Sequence, residues 1–194
     1  CISVPTIPVA GKTIWIIYGD DELADDSDPA SVYEFFDEFE GTELDTSKWT
    51  LAAGSVTVSG GVLTVGANTH VLSNTSFGVG YGVRARSYFP NADTALGFGF
   101  DNSAQTRCVW FHTVASGFAI RHVGYGGNTA SMISYCVTGA WRTYDIARHG
   151  NDVVRVTTNW IYRDVIDNDI SVTDSIPACI FSISGNSGLQ LQGF

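Results

Sequence analysis

The side chains of this 194-residue chain that could do chemistry are few and scattered. Four cysteines stand at Cys1, Cys108, Cys136 and Cys179, and four histidines at His70, His112, His122 and His149. No Cys-x-x-Cys pair occurs, which argues against a zinc site. No Gly-x-Ser-x-Gly elbow is present to raise a serine nucleophile. Retaining glycoside hydrolysis needs two carboxyls about 5–5.5 Å apart, yet no glutamate follows Glu43. The one acidic cluster of the body, Asp164-Val-Ile-Asp-Asn-Asp169, reads as a solvated loop, with calcium as the alternative because hard oxygen ligands at short spacing suit it. The stretch Asp20–Asp28 reads the same way, and it lacks the Gly and Glu of an EF-hand loop. His112 and His122 are expected on paired strands in structural roles. The expectation is a chain with no catalytic residues and no cofactor or metal, calcium apart, and hence not an enzyme.

Charge narrows the partners. The net charge is −10. Residues 1–45 hold 12 of the 20 acids and only Lys12 as a base; the remainder holds 8 acids against Lys48 and eight arginines. The body is therefore close to neutral, and charged residues make up 15% of the chain, against about 25% in typical soluble domains. Either copies of the chain cover much of that surface, or it is an extracellular surface rich in Ser, Thr, Asn and Gly. No basic stripe is present to neutralise phosphates, which excludes nucleic acid. No apolar run reaches the ~18 residues of a membrane span, and no leader peptide is visible.

The elements that must position these residues are strands. Residues 2–18 read as an extended arm, with Thr13-Ile-Trp-Ile-Ile-Tyr18 as a β-branched and aromatic strand. From Val32 on, short alternating runs follow one another, at Val32–Glu40, 49–52, 56–58, 62–65, 71–73, 79–89, 95–100, 107–114, 118–123, 132–137, 141–148, 153–159, 170–172, 179–183 and 189–192. Gly60-Gly61 and Gly126-Gly127-Asn128 punctuate them as turns. This pattern predicts an all-β antiparallel sandwich. The domain reading is an arm at 1–19, an acidic linker at 20–31 and a sandwich at 32–194.

The run Phe35-Phe-Asp-Glu-Phe-Glu-Gly-Thr-Glu-Leu-Asp-Thr-Ser-Lys-Trp49 resembles the opening of concanavalin-like and laminarinase-like jelly-roll domains. Phe77-Gly-Val-Gly-Tyr-Gly-Val-Arg-Ala-Arg86, Leu96-Gly-Phe-Gly-Phe100 and Trp141-Arg-Thr-Tyr-Asp-Ile146 extend that resemblance over residues 32–192. It implies a jelly-roll fold, but the Glu-x-Asp-x-x-Glu strand of the laminarinase-like enzymes is missing. Val4-Pro-Thr-Ile-Pro and Ile14-Trp-Ile-Ile-Tyr-Gly19 resemble the last strands of an uncharacterised β domain of archaeal and bacterial surface proteins. The family's closing Asp-Trp-Val strand is replaced by Gln192-Gly-Phe194.

Two functions follow as expectations. The first is a structural subunit of an extracellular filament or pilus, a homo-oligomer. The arm residues Ile2, Val4, Ile7, Ile14, Trp15, Ile16, Ile17 and Tyr18 would complete a neighbour's sheet in donor-strand fashion. The incomplete last strand would leave the edge that receives them. The alternative is carbohydrate binding and adhesion at a cell surface, through Trp110, His112, Arg121 and Tyr125. Trp141 and Tyr144 are further candidates whose bland assignment is core. Cys108 and Cys136 are the favoured disulfide. Cys1 has three open fates: a bond to Cys179, a bond to another subunit, or lipidation. Asn74-Thr-Ser76 makes Asn74 a glycosylation acceptor.

Overall fold

Short alternating runs bounded by glycine turns cannot bury their apolar side singly, so they stack as two sheets face to face. The computed structural model describes residues 29–91, 96–102, 108–114, 117–124, 127–133, 138–149, 153–158, 161–167, 175–183 and 187–194. The chain divides into two compact units, Cys1–Phe36 and Asp37–Phe194. The first shows a 3-10 turn at Pro29–Ser31, with the Val32 and Tyr33 amides donating to the Pro29 carbonyl. The arm residues and the acidic stretch to Asp28 lie outside the described residues.

The second unit is the sandwich. Its strands are β1 (Trp49–Ala53), β2 (Val56–Ser59), β3 (Val62–Val65), β4 (His70–Phe77), β5 (Gly82–Tyr88), β6 (Leu96–Asp101) and β7 (Cys108–Val114). They continue as β8 (Gly117–Gly124), β9 (Gly127–Ile133), β10 (Trp141–His149), β11 (Val153–Thr158), β12 (Ile161–Asp167), β13 (Ile176–Ser182) and β14 (Leu189–Gln192). The first sheet runs β1-β4-β13-β6-β7-β8-β9 and the second β12-β11-β10-β5-β14-β3-β2. Every pairing is antiparallel. The all-β jelly roll expected from the sequence is the fold.

The core lies between the sheets and is aromatic. Phe89 stands edge-on to Phe111, Phe118 and Tyr144 at centroid distances of 5.8, 5.0 and 5.6 Å. Each such pair adds about 0.5–1.5 kcal/mol beyond its area. Leu63, Val65, Leu189 and Leu191 complete the floor from β3 and β14.

The opening motif is a buried anchor rather than a strand. Asp37 accepts the Trp49 indole N–H at 2.6 Å and the Phe39 amide at 2.9 Å. That second bond turns the backbone at Phe39, whose φ is 56°, so the expected strand Val32–Glu40 does not form. Trp49 packs edge-on against Phe194, centroids 5.1 Å apart, and the Asp37 and Phe194 backbones exchange two hydrogen bonds.

Three other expectations change. β14 is no receptive edge, because it pairs with β3 on one side and β5 on the other. Asp164 and Asp167 sit in β12, so the acidic loop expected at 164–169 is strand as far as Asp167. Residues 127–128, expected in a turn, open β9.

Candidate functional site

Each sheet has an outer face, and the two differ in chemistry. On the first sheet, alternation gives β7 an outward row of Cys108, Trp110 and His112. Register sets Trp110 opposite Gly99, and Gly99 opposite Cys179, and it sets His112 opposite Gly97, and Gly97 opposite Phe181. The glycines of β6 are needed there. A Cβ on Gly99 would stand 2.1 Å from the Val109 carbonyl oxygen, and one on Gly97 2.3 Å from that of Phe111. Without side chains at 97 and 99, residues of β7 and β13 close over β6, and Trp110 reaches Phe181 at 4.5 Å.

This row is buried: Cys108, Cys179, Trp110 and Phe181 are all at 2% exposure or less. Among them lie His70 of β4 and Asp101 of β6, with His70 Nε2 at 3.2 Å from Asp101 Oδ2. Burial pushes the Cys179 thiol up, and the Asp101 charge and the neighbouring Cys108 push it further. Cys179 is therefore a neutral thiol at physiological pH, not a ready nucleophile.

On the second sheet, the outer face of β10, β5, β14 and β3 is half-buried to exposed and mostly polar. Register lines up Trp141 of β10, Tyr88 of β5, Gln190 of β14 and Thr64 of β3 in one row. Thr143, Arg86 and Gln192 form the next, and Asp145 and Arg84 the third. Trp141 and Tyr88 are half-buried, with centroids 5.9 Å apart. The exposed Arg86 lies 5.4 Å over the Trp141 ring and donates to Gln192. Arg84 is paired with Asp145. The result is an aromatic step bordered by planar donors and acceptors.

The expected site residues fall apart in this frame. Trp110 and His112 share the buried face, and His112 Nδ1 bonds the Thr113 carbonyl at 2.9 Å. Arg121 stands opposite Trp110 in register, while Tyr125 lies outside the described residues. His122 pairs with Val109 and His112 with Ala119, so the two histidines have opposite parity on their strands. Tyr144 is core, as its bland assignment held, but Trp141 is not. Cys136 and the arm residues, Ile2 to Tyr18, lie outside the described residues. Asn74 is exposed, but its amide nitrogen donates to the Thr46 and Ser47 carbonyls, both at 3.0 Å. Sequence reasoning passed over Tyr88, Arg86, Gln190 and Gln192. Their signal was the alternation of β5 and β14, which sets them on the face opposite Ala85 and Leu191.

The sandwich has the fold of glucanase-like jelly rolls. It is similar to a beta-glucanase of Bacillus licheniformis, with 11% identity and a TM-score of 0.59 over 82% of this chain and 95% of that one. It is also similar to a prokaryotic beta-1,3-1,4-glucanase (lichenase) from a mouse hindgut metagenome, with 10% identity and a TM-score of 0.61 over 82% and 96%. A beta-agarase A in complex with oligoagarose gives 10% identity and a TM-score of 0.62 over 81% and 78%. A domain of unknown function (DUF2341) matches residues 1–52. No curated protein matches the chain.

These likenesses overturn two expectations. The reading as a filament or pilus subunit is withdrawn, because the jelly rolls that this sandwich resembles are carbohydrate-acting proteins. Donor-strand pairing and self-assembly gain no support. The expectation that the chain is not an enzyme falls on the same finding, since a glucanase, a lichenase and an agarase are hydrolases of glycans. The carbohydrate reading fits better. Among the described residues, no helix is long and apolar enough to cross a membrane.

Proposed function

We propose that the sandwich recognises carbohydrate, and that its sugar platform is the outer face of the second sheet around Trp141 and Tyr88. The observation that carries this is the aromatic step itself, half-exposed beside the polar side chains of Arg86, Gln190 and Gln192. A sugar ring offers an apolar face and a rim of hydroxyls. Indole and phenol rings match the first. Arg86, Gln190 and Gln192 supply fixed donors and acceptors for the second. The fold shared with glycan-acting proteins supports the same class of ligand. The setting is extracellular or at a cell surface, consistent with the resemblance of the N-terminal stretch to surface-protein β domains.

Hydrolysis is the second reading, favoured by the fold alone. Asp101 is the only carboxylate on the seven strands of the first sheet. A two-carboxyl mechanism would therefore draw its partner group from a connecting loop. One experiment addresses both readings. The chain is screened on a polysaccharide array and then incubated with each hit while reducing ends are counted. Retained sugar that is lost in Trp141→Ala supports the platform, and new reducing ends establish hydrolysis. Binding that is unchanged in both Trp141→Ala and Tyr88→Ala refutes it.

A further inference from the structure

We propose that His70, Asp101 and Cys179 form a binding site for a divalent transition-metal ion, with a donor set that suits zinc. Their ligand atoms all lie within 4.8 Å of one another, and all three residues are buried. They come from β4, β6 and β13, three adjacent strands of the first sheet. None of them belongs to the sugar platform, which lies on the other sheet.

Two independent observations point to a cation. Asp101 has no exposed surface, and neither of its carboxylate oxygens has a hydrogen-bond partner. His70 Nε2 faces Asp101 yet makes no hydrogen bond either. A carboxylate buried away from water, with only the His70 ring at 3.2 Å and no hydrogen bond formed to it, is a poor resting state for a folded protein. A cation shared by the three groups satisfies them together. The spacing agrees. Two ligands about 2.0 Å from a tetrahedral centre stand about 3.3 Å apart, and His70 Nε2 lies 3.2 Å from Asp101 Oδ2.

The donor set selects the ion. Calcium takes at least six oxygens and magnesium an octahedron of them, and neither fits one imidazole, one carboxylate and one sulfur. Zinc accepts that mixture and keeps a fourth position open. Register sets Trp110 beside Cys179 across Gly99, so the indole closes over the sulfur and shields it from solvent. Gly99, which has no room for a side chain, lets Trp110 approach across β6. On binding, the thiol proton leaves to solvent as the sulfur–metal bond forms.

The test uses the full chain, stripped with a chelator and titrated with Co²⁺ as a spectroscopic stand-in and with Zn²⁺. One equivalent of Co²⁺ is expected to bind, with a thiolate-to-cobalt charge-transfer band that Zn²⁺ abolishes and with a rise in melting temperature. Cys179→Ser should remove the band, and Asp101→Asn should weaken Co²⁺ binding at least tenfold. Circular dichroism checks that both variants fold. Elemental analysis of the wild-type chain after dialysis against zinc gives the stoichiometry without any variant. A wild-type chain that retains no zinc and shows no cobalt band overturns the proposal, leaving a His70–Asp101 ion pair. A band that survives Cys179→Ser overturns the ligand set.

Discussion

Replacing Asp37 by Asn tests whether the opening motif anchors the sandwich. Asp37 is buried and accepts from two buried donors, the Trp49 indole at 2.6 Å and the Phe39 amide at 2.9 Å. Asparagine has one carbonyl oxygen. If that oxygen keeps the Phe39 amide, its NH₂ group meets the indole N–H, donor against donor. A hydrogen bond to a charged group contributes about 1.5–3 kcal/mol, and an unmatched buried donor adds to the loss. The expected cost is about 2–4 kcal/mol, and Asp37→Ala should cost more. The Lys48 ion pair, at 3.8 Å with the lysine side chain 39% exposed, adds at most about 1 kcal/mol. At about 2–4 °C per kcal/mol for a unit of this size, melting should fall by roughly 4–16 °C. Urea unfolding followed by circular dichroism measures it. A double-mutant cycle with Trp49→Phe, which keeps a ring but removes the N–H, isolates the bond. A cost below about 0.5 kcal/mol, or additivity within about 0.5 kcal/mol, refutes the anchor.

Three further outcomes are expected. Gly99→Ala should cost about 3 kcal/mol or prevent folding, because its Cβ would lie 2.1 Å from a carbonyl oxygen. Gly41→Ala is the control, having a positive φ but nothing within 4 Å, and thermal melts compare the two. Mass spectrometry of the chain secreted from a glycosylating host should find Asn74 bare once folded, since both hydrogens of its amide nitrogen hold the 46–47 loop; Asn74→Ala should cost about 1 kcal/mol. The Ser47 hydroxyl and amide hold the Asp45 carboxyl below the usual aspartate range. The stability that this turn gives is present above the unfolded aspartate range and is lost as pH falls through the folded value. An NMR titration should show Ser47→Ala moving the Asp45 midpoint upward.

The sandwich was legible because its signal is local. Period-two alternation in Val62–Val65, Leu96–Asp101 and Leu189–Gln192 marks strands whatever their neighbours are. What failed depended on partners. Val32–Glu40 has strand composition, but the Asp37 side chain captures the Phe39 amide and turns the chain. Residues 164–167 look like an acidic loop, yet pair with β11. The face assignments failed for a deeper reason. Alternation says that Trp110 and Trp141 each lie on one side of a strand, but not whether that side is covered. The central strands of the first sheet are buried on both faces, so Trp110 is lost to a ligand while Trp141 stays half-open. The cluster of His70, Asp101 and Cys179 was invisible, because strands separated by as many as 109 positions in the chain meet there, and no short motif records it.

The position of β14 sets the order in which this protein can fold. Its residues Leu189–Leu191 complete hydrogen bonds to residues 63–65, and Gln190–Gln192 to residues 86–88. Until residues 189–194 are available, β3 and β5 stand apart in an open sheet, and the Trp49 ring lacks its Phe194 lid. Loops of about a hundred residues must then close late, which makes such topologies slow. A chain growing from its N-terminus thus keeps β3 and β5 of the second sheet unjoined until β14 has been made.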